Sequence, residues 1–145
     1  MIPIHTRNFG DIEIASEKIL NFSHGLPGFP DLKRFTLIAD PADLAEESAV
    51  FYWLQSLDNA DVAFCIVDLM RFMPDYNPLV DAAEIAVLGG NHEDYLIYNI
   101  IVVHDDAKDI CVNMKAPIII NPETREGMQI ICQNEDYAIR HRLFK

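Results

Sequence analysis

The chain has 145 residues, and 50% of them are hydrophobic. A chain of this length is one domain that buries roughly 70% of its unfolded surface, so its core needs neither a metal nor a disulfide. Eleven Lys and Arg against 23 Asp and Glu give a formal net charge of −12. This composition excludes intrinsic disorder and argues against direct binding of nucleic acid, whose phosphates would repel the chain. We therefore predict a single domain over residues 1–145.

In the first half, short alternating runs separated by turn residues predict β-strands. Residues 2–6 and 11–14 form a predicted hairpin, and 19–22 a third strand. Two glycines and two prolines make residues 25–30 a tight ordered loop. Further strands are predicted at 34–39, 50–57, 62–68 and 95–103. The run 95–103 is apolar on both alternating faces, which is typical of a central strand covered on both sides.

The second half adds one helix and a hairpin. Asp81 followed by Glu84 resembles a capping box, so a short helix is predicted over 82–88, ending at Gly89-Gly90. Residues 116–120 and 128–132 flank a Pro- and Gly-containing turn. Together these elements predict a mainly β fold: one small antiparallel β-barrel-like domain with one short helix, in which closure hides the sheet edges.

The acidic charge is concentrated in the middle of the chain. Residues 37–110 contain fifteen acidic side chains against only Arg71 and Lys108, whereas both flanking segments are close to neutral. Two interpretations fit this pattern. The acids lie in solvated loops that keep the barrel soluble, or they form a face that steers a basic partner.

Motifs that would indicate catalysis or metal binding are missing from the sequence. There is no glycine-rich phosphate loop and no exposed-nucleophile serine motif. His92-Glu93-Asp94 and His104-Asp105-Asp106 could ligate a metal, but both are typical of polar surface turns. Three widely spaced cysteines indicate reduced core thiols. We therefore predict no enzyme, no cofactor and no metal.

Candidate membrane and export signals are likewise missing. No window reaches the ~18 consecutive apolar residues of a membrane span, and the first residues lack the pattern of a secretion signal. A cytoplasmic protein without membrane contact is expected.

Six segments of the chain resemble the FliW family of flagellar assembly factors. The resemblance covers nearly the whole chain and lies at residues 4–14 (I-x-T-R-N-F-G-D-I-E-I), 25–37 (G-L-P-G-F-P-D-L-K-R-F-x-L), 51–58 (F-Y-W-L-Q-S-L-D), 74–78 (P-D-Y-N-P), 116–129 (A-P-I-I-I-N-P-E-T-R-x-G-x-Q) and 137–144 (Y-x-x-R-H-x-L-F). Arg142 and Ala60 stand where family members often have Pro. These departures concern local strand edges.

The resemblance implies a cytoplasmic, non-enzymatic protein of a flagellated bacterium with two alternative partners. One partner is newly made flagellin. The other is CsrA, an RNA-binding translational repressor. Export of flagellin would free the protein to sequester the repressor, which relieves the block on flagellin translation. Such switching needs mutually exclusive or coupled surfaces.

The resemblance supplies no contact motif, so the candidate contacts come from the acidic middle and from the loop 72–78. That loop is rigidified by proline and carries two aromatic residues, which suits either a partner anchor or a lid on the barrel. The candidates are Asp58, Asp61, Phe72, Asp75, Tyr76, Asp105 and Asp106.

Two other functions remain open from the sequence. One is a small-molecule-binding or catalytic β-barrel with its polar groups at the mouth. The other is an acidic decoy for nucleic-acid-binding proteins. The nearly wholly apolar strands 95–103 and 116–120 favour a filled barrel core over a hollow one.

Overall fold

A computed structural model describes residues 1–26, 28–39, 51–89, 94–103 and 110–142. Within these ranges lie β1 (Ile2–Thr6), β2 (Gly10–Ile14), β3 (Leu20–Asn21), β4 (Arg34–Ala39), β5 (Phe51–Ser56), β6 (Ala63–Val67), α1 (Ala82–Ile85), β7 (Leu96–Val103), β8 (Ile110–Val112), β9 (Ile118–Asn121), β10 (Glu126–Gln129) and β11 (His141–Arg142). Short 3₁₀ turns occupy Ser16–Lys18, Leu69–Arg71 and Ala86–Leu88.

Seven of these strands close into a barrel in the order β7-β6-β5-β4-β3-β10-β9 and back to β7. A ring with an odd number of strands cannot alternate direction throughout, so one neighbouring pair must be parallel. That pair is β3 and β10, where Glu126 lies opposite Asn21. The mainly β, barrel-like fold with one short helix is confirmed.

The long strand β7 is central, as predicted, but it is not covered on both sides along its whole length, because Leu96 and Val102 are 39% and 47% exposed. Its first residues pair with β9, its middle with β6 and its last residues with β8. β11 adds to β8 through His141 opposite Val112. β7, β8 and β11 therefore form a small sheet that continues outward from the barrel wall.

Some element boundaries differ from the prediction because turns compete with strands. β3 ends at Asn21 since Phe22 begins a turn, in which its carbonyl accepts the Gly25 N–H at 2.8 Å. β10 begins at Glu126, two residues earlier than predicted, because the Arg125 N–H already closes the turn onto the Asn121 carbonyl at 2.8 Å.

The predicted helix is confirmed as one α-helical turn continued by a 3₁₀ turn. The Asp81 carboxylate accepts the Ala83 N–H at 2.8 Å and caps the start. Gly89, with φ of 67°, ends it. The helix packs on the outside of the barrel, where Ile85 and Leu88 contact Ile119 of β9.

The barrel interior is filled with hydrophobic side chains. Phe22, Phe35, Leu54, Ile66 and Ile118 are fully buried there and form one cluster. The neighbouring residue on β9, Ile119, points the other way to the helix. This alternation explains why the first three residues of β9 are all isoleucine. In the described part of the chain, no helix is long and apolar enough to cross a membrane.

We predict that Gly127→Ala lowers the free energy of unfolding by about 1–3 kcal/mol, because the added Cβ overpacks the core. That atom would lie 2.6 Å from the ring of Phe22. Urea unfolding measures the loss. In a chain that already carries Phe22→Leu, Gly127→Ala should cost less stability than it does in the wild type.

Gly89→Ala is the matched control. Its Cβ would meet nothing within 4 Å, so only the strain of its positive φ is added. That strain should not respond to Phe22→Leu. Additive effects of Gly127→Ala and Phe22→Leu would contradict the predicted contact.

Candidate functional site

The structure separates the predicted contact residues into two groups. Asp58 and Asp61 lie in the turn between β5 and β6, here called the turn surface. Phe72 and Asp75 lie in the loop after β6, here called the loop surface. The five residues of β6 run between them, a length of roughly 16 Å, so the two surfaces are at opposite ends of this strand. Asp105 and Asp106 lie outside the described residues.

The turn surface is held by hydrogen bonds to its backbone. Ser56 Oγ accepts the N–H groups of Asp58 and Asn59 at 3.1 and 3.0 Å. Beneath the turn, the buried Gln55 amide donates to the carbonyls of Ser56, Ala60 and Val62. These bonds fix the backbone of the turn, and none of them uses the carboxylates of Asp58 and Asp61.

The two acids of the turn surface differ in their electrostatic surroundings. Asp58 forms an ion pair with Arg34 of the neighbouring strand, with 2.6 Å between Oδ1 and Nη2. This contact raises the pKa of the Arg34 guanidinium through a hydrogen bond and the charge of Asp58. The Asp61 side chain is exposed, and Asn59 Oδ1 accepts its N–H. Asp61 therefore presents more uncompensated charge to a partner than Asp58 does.

The loop surface exposes apolar as well as acidic groups. Met70 and Phe72 are each 40% exposed, and the Phe72 ring leans on Phe51 with 5.7 Å between centroids. Asp75 is exposed beyond them. An anchored aromatic ring beside a carboxylate suits a partner that combines apolar and basic groups.

Tyr76 does not belong to this surface, because only 3% of it is exposed. Its hydroxyl donates to the Met114 carbonyl at 2.8 Å and accepts from Asn99 Nδ2 at 2.9 Å. Its ring packs on Tyr137, whose hydroxyl accepts the Asn77 N–H at 2.8 Å. This placement corrects the assignment of Tyr76 as a contact. Burial raises the pKa of the Tyr76 phenol. The sequence did not reveal this burial, because no local pattern distinguishes a buried from an exposed aromatic residue in a proline-rich loop.

We expect Tyr76→Phe to lower the free energy of unfolding by about 1–3 kcal/mol, since it leaves the Met114 carbonyl and the Asn99 amide short of a partner. Thermal unfolding measures this. Tyr137→Phe, which removes only the bond to the Asn77 N–H near the surface, should cost less. Equal stability of wild type and Tyr76→Phe would contradict the structural role of this hydroxyl.

At the barrel end where β6 stops and β7 starts, an open groove of about 360 Å³ runs between the strands. Its walls are mainly apolar, and charged side chains stand at its rim; the lining comprises Leu20, Thr36, Leu37, Tyr52, Leu96, Ile120 and Pro122 with Glu17, Lys18 and Arg125. A smaller hollow of about 210 Å³ lies beside it against Asp68, Met70 and Tyr98. Tyr52 and Tyr98 meet edge to face, with ring centroids 5.4 Å apart.

Burial raises the pKa of Tyr98 to about 12, with smaller contributions from Tyr52 and Asp68. The phenol of the unfolded chain, with its ordinary value of 10.0, ionises first as pH rises. Stability that is fully present below about pH 10 is therefore lost as the pH approaches about 12, by roughly 2–3 kcal/mol for Tyr98.

The test compares urea unfolding of the wild type and of Tyr98→Phe at several pH values from about 9 to about 12. The variant should lose less stability over this range. Ultraviolet titration of the wild type should show tyrosines that ionise only together with unfolding. An identical pH slope for the two proteins would refute the prediction.

Candidate metal ligands are not gathered by the fold within the ranges that the structure describes, where no three His, Cys, Asp or Glu side chains form a group. His92, Glu93 and the run 104–106 lie outside those ranges.

The sequence of this chain is similar to that of known proteins along nearly its full length. A family model described as FliW protein matches residues 3–143. The chain belongs to the FliW family. Flagellar assembly factor FliW of Caldanaerobacter subterraneus subsp. tengcongensis is 40% identical over 98% of this chain and 93% of its own. FliW of Leptospira interrogans serovar copenhageni is 35% identical over 99% and 94%.

A solved structure supports the same membership at the level of the fold. The crystal structure of a flagellar assembly factor FliW matches with a TM-score of 0.87 and 33% identity, over 99% of this chain and 98% of that one. The described part of this FliW-family chain, with its barrel, outer helix and outward-continuing sheet, therefore shares the fold of that crystal structure.

Proposed function

We propose that the protein is a non-enzymatic flagellar assembly factor of the cytoplasm that binds flagellin and, when free, antagonises a CsrA-type RNA-binding repressor. Flagellin export would then release the protein, which takes up the repressor and allows flagellin translation. The observation that carries the proposal is the match over nearly the full length of both chains to proteins that are themselves flagellar assembly factors.

The charge of the chain supports the repressor half of this proposal. A repressor that binds RNA presents basic groups, and a partner with a net charge of −12 would associate with it quickly and in a salt-dependent way. Long-range attraction between surfaces is screened within about 8–10 Å at physiological salt, so the acids nearest the contact matter most.

The separation of the turn and loop surfaces allows two forms of partner exchange. If both partners use the same surface, they compete directly. If each uses its own end of β6, one partner must act on the other through the barrel, as a coupling free energy between two sites. The alternatives differ in which variants affect which partner.

The experiment uses Asp61→Lys and Asp75→Lys, one at each surface, with calorimetric titration of a purified CsrA-type repressor and of flagellin. One of the two surfaces of this protein should bind the repressor. We expect the variant on that surface to weaken the affinity for the repressor by roughly tenfold at low salt, and by less as the salt concentration rises. Both side chains are exposed, so the fold should be unaffected.

Glu123→Lys is the control, because it makes the same charge change at an exposed position in the near-neutral last third of the chain. It should leave both affinities within about twofold of the wild type. If Asp61→Lys and Asp75→Lys both bind the repressor as tightly as the wild type at low salt, the proposed acidic contact is wrong.

Binding partners in a lysate separate this proposal from the decoy alternative. Immobilised protein should retain flagellin and one RNA-binding regulator from a flagellated bacterium. Broad retention of basic proteins that disappears with salt would favour an acidic decoy instead.

A further inference from the structure

The groove at the barrel mouth combines an apolar floor with a positive rim, which is unusual for a chain of net charge −12. Leu37, Tyr52 and Ile120 supply apolar walls, while Lys18 and Arg125 stand at the edge against a single acid, Glu17. At about 360 Å³ it falls within the roughly 300–1,000 Å³ of pockets that hold small ligands.

The backbone of Lys18 and the guanidinium of Arg125 are both held by hydrogen bonds at the groove. Thr36, which is buried, donates from Oγ1 to the Lys18 carbonyl at 3.0 Å and ties the 3₁₀ turn Ser16–Lys18 to β4. Arg125 Nη1 donates to the Ser16 carbonyl at 3.3 Å, which draws its guanidinium toward the same turn. One N–H bond of this kind leaves most of the five guanidinium donors for a ligand.

The backbone of Arg125 gives a separate indication that its side chain is used. Arg125 has φ of 62°, and among the residues whose placement is described it is the one non-glycine with a positive φ. A turn that needs this conformation is satisfied best by Gly or Asn, which adopt it with little strain. An arginine kept in a strained conformation beside a groove points to a role for the guanidinium.

We propose that the groove binds a carboxylate attached to an apolar group. The carboxylate would pair with Arg125, whose planar donors suit its two oxygens, and with Lys18. The apolar part would lie along Leu37, Tyr52 and Ile120. A medium-chain fatty acid and the C-terminal residue of a polypeptide that ends in an aliphatic side chain share this chemistry.

The test titrates octanoate into the full chain and follows heat and the amide NMR signals of the groove residues, with octylamine as the probe of opposite charge. Octanoate should bind saturably and octylamine should not. Arg125→Gly should weaken octanoate binding at least tenfold, while its melting temperature stays equal to or above that of the wild type because glycine relieves the positive φ. Lys18→Gln should weaken binding less.

Arg140→Gln is the matched control, since it removes an exposed cation outside the groove. It should leave octanoate binding unchanged. Absence of saturable binding of octanoate and of the peptide below, or equal affinity of wild type and Arg125→Gly, would overturn the proposal.

A second arm identifies the source of the carboxylate with a short peptide that ends in Leu-Leu, as the free acid and as the amide. Tighter binding of the free acid than of octanoate assigns the groove to a polypeptide C-terminus, and the reverse assigns it to a free amphiphile. Both outcomes require the amide to bind poorly. Asp61→Lys and Asp75→Lys should leave octanoate binding intact, so the groove and the proposed partner surfaces can fail independently.

Discussion

Ring closure is the constraint on which the rest of this molecule depends. Seven strands cannot all run antiparallel around a closed ring, and the single parallel junction falls between β3 and β10. The junction is short, so it relies on the Asn21 N–H, which donates to the Arg125 carbonyl at 2.8 Å, and on close packing of Gly127 against Phe22. Without it, the hydrophobic interior would open along one seam and β3 and β10 would become exposed edges.

The same junction creates the groove at the barrel mouth. Arg125 adopts its left-handed conformation to turn the chain into β10, and this places its side chain over the 3₁₀ turn that precedes β3. A residue needed for closure thus also carries the charge that the groove offers to a ligand. The roles of its backbone and of its side chain can be tested separately, because Arg125→Gly allows the same positive φ but removes the guanidinium.

β7 organises the opposite part of the structure because it pairs with three strands along its length. Asn99, buried at its middle, donates to Tyr76 and to the Asn113 carbonyl, and so joins the barrel wall to the loop 72–78 and to the segment that follows β8. The Tyr137 hydroxyl of the C-terminal segment accepts the Asn77 N–H and so joins this segment to the same loop. A partner that displaces the loop surface would therefore disturb hydrogen bonds that reach the barrel, which is the physical requirement for coupled rather than direct partner exchange.

Most of the fold was predictable because its signals are local. Alternation, turn residues and the Asp81 cap located the hairpins, the central strand and the helix within a few residues. The acidic middle and the exposure of Asp61, Phe72 and Asp75 were also within reach of the sequence. Boundaries differed where a turn hydrogen bond ends or begins a strand, as at Phe22 and at Arg125.

By itself, the sequence determined the class of fold, the family and the uneven distribution of charge, since each depends on residues close together in the chain. Only the tertiary structure decided that Tyr76 is buried, that the candidate acids fall at two ends of β6, and that Arg125 reaches a carbonyl 109 residues away. These facts depend on strand order and register around a closed ring. Order and register are fixed by the packing of all seven strands together, and no local pattern encodes them.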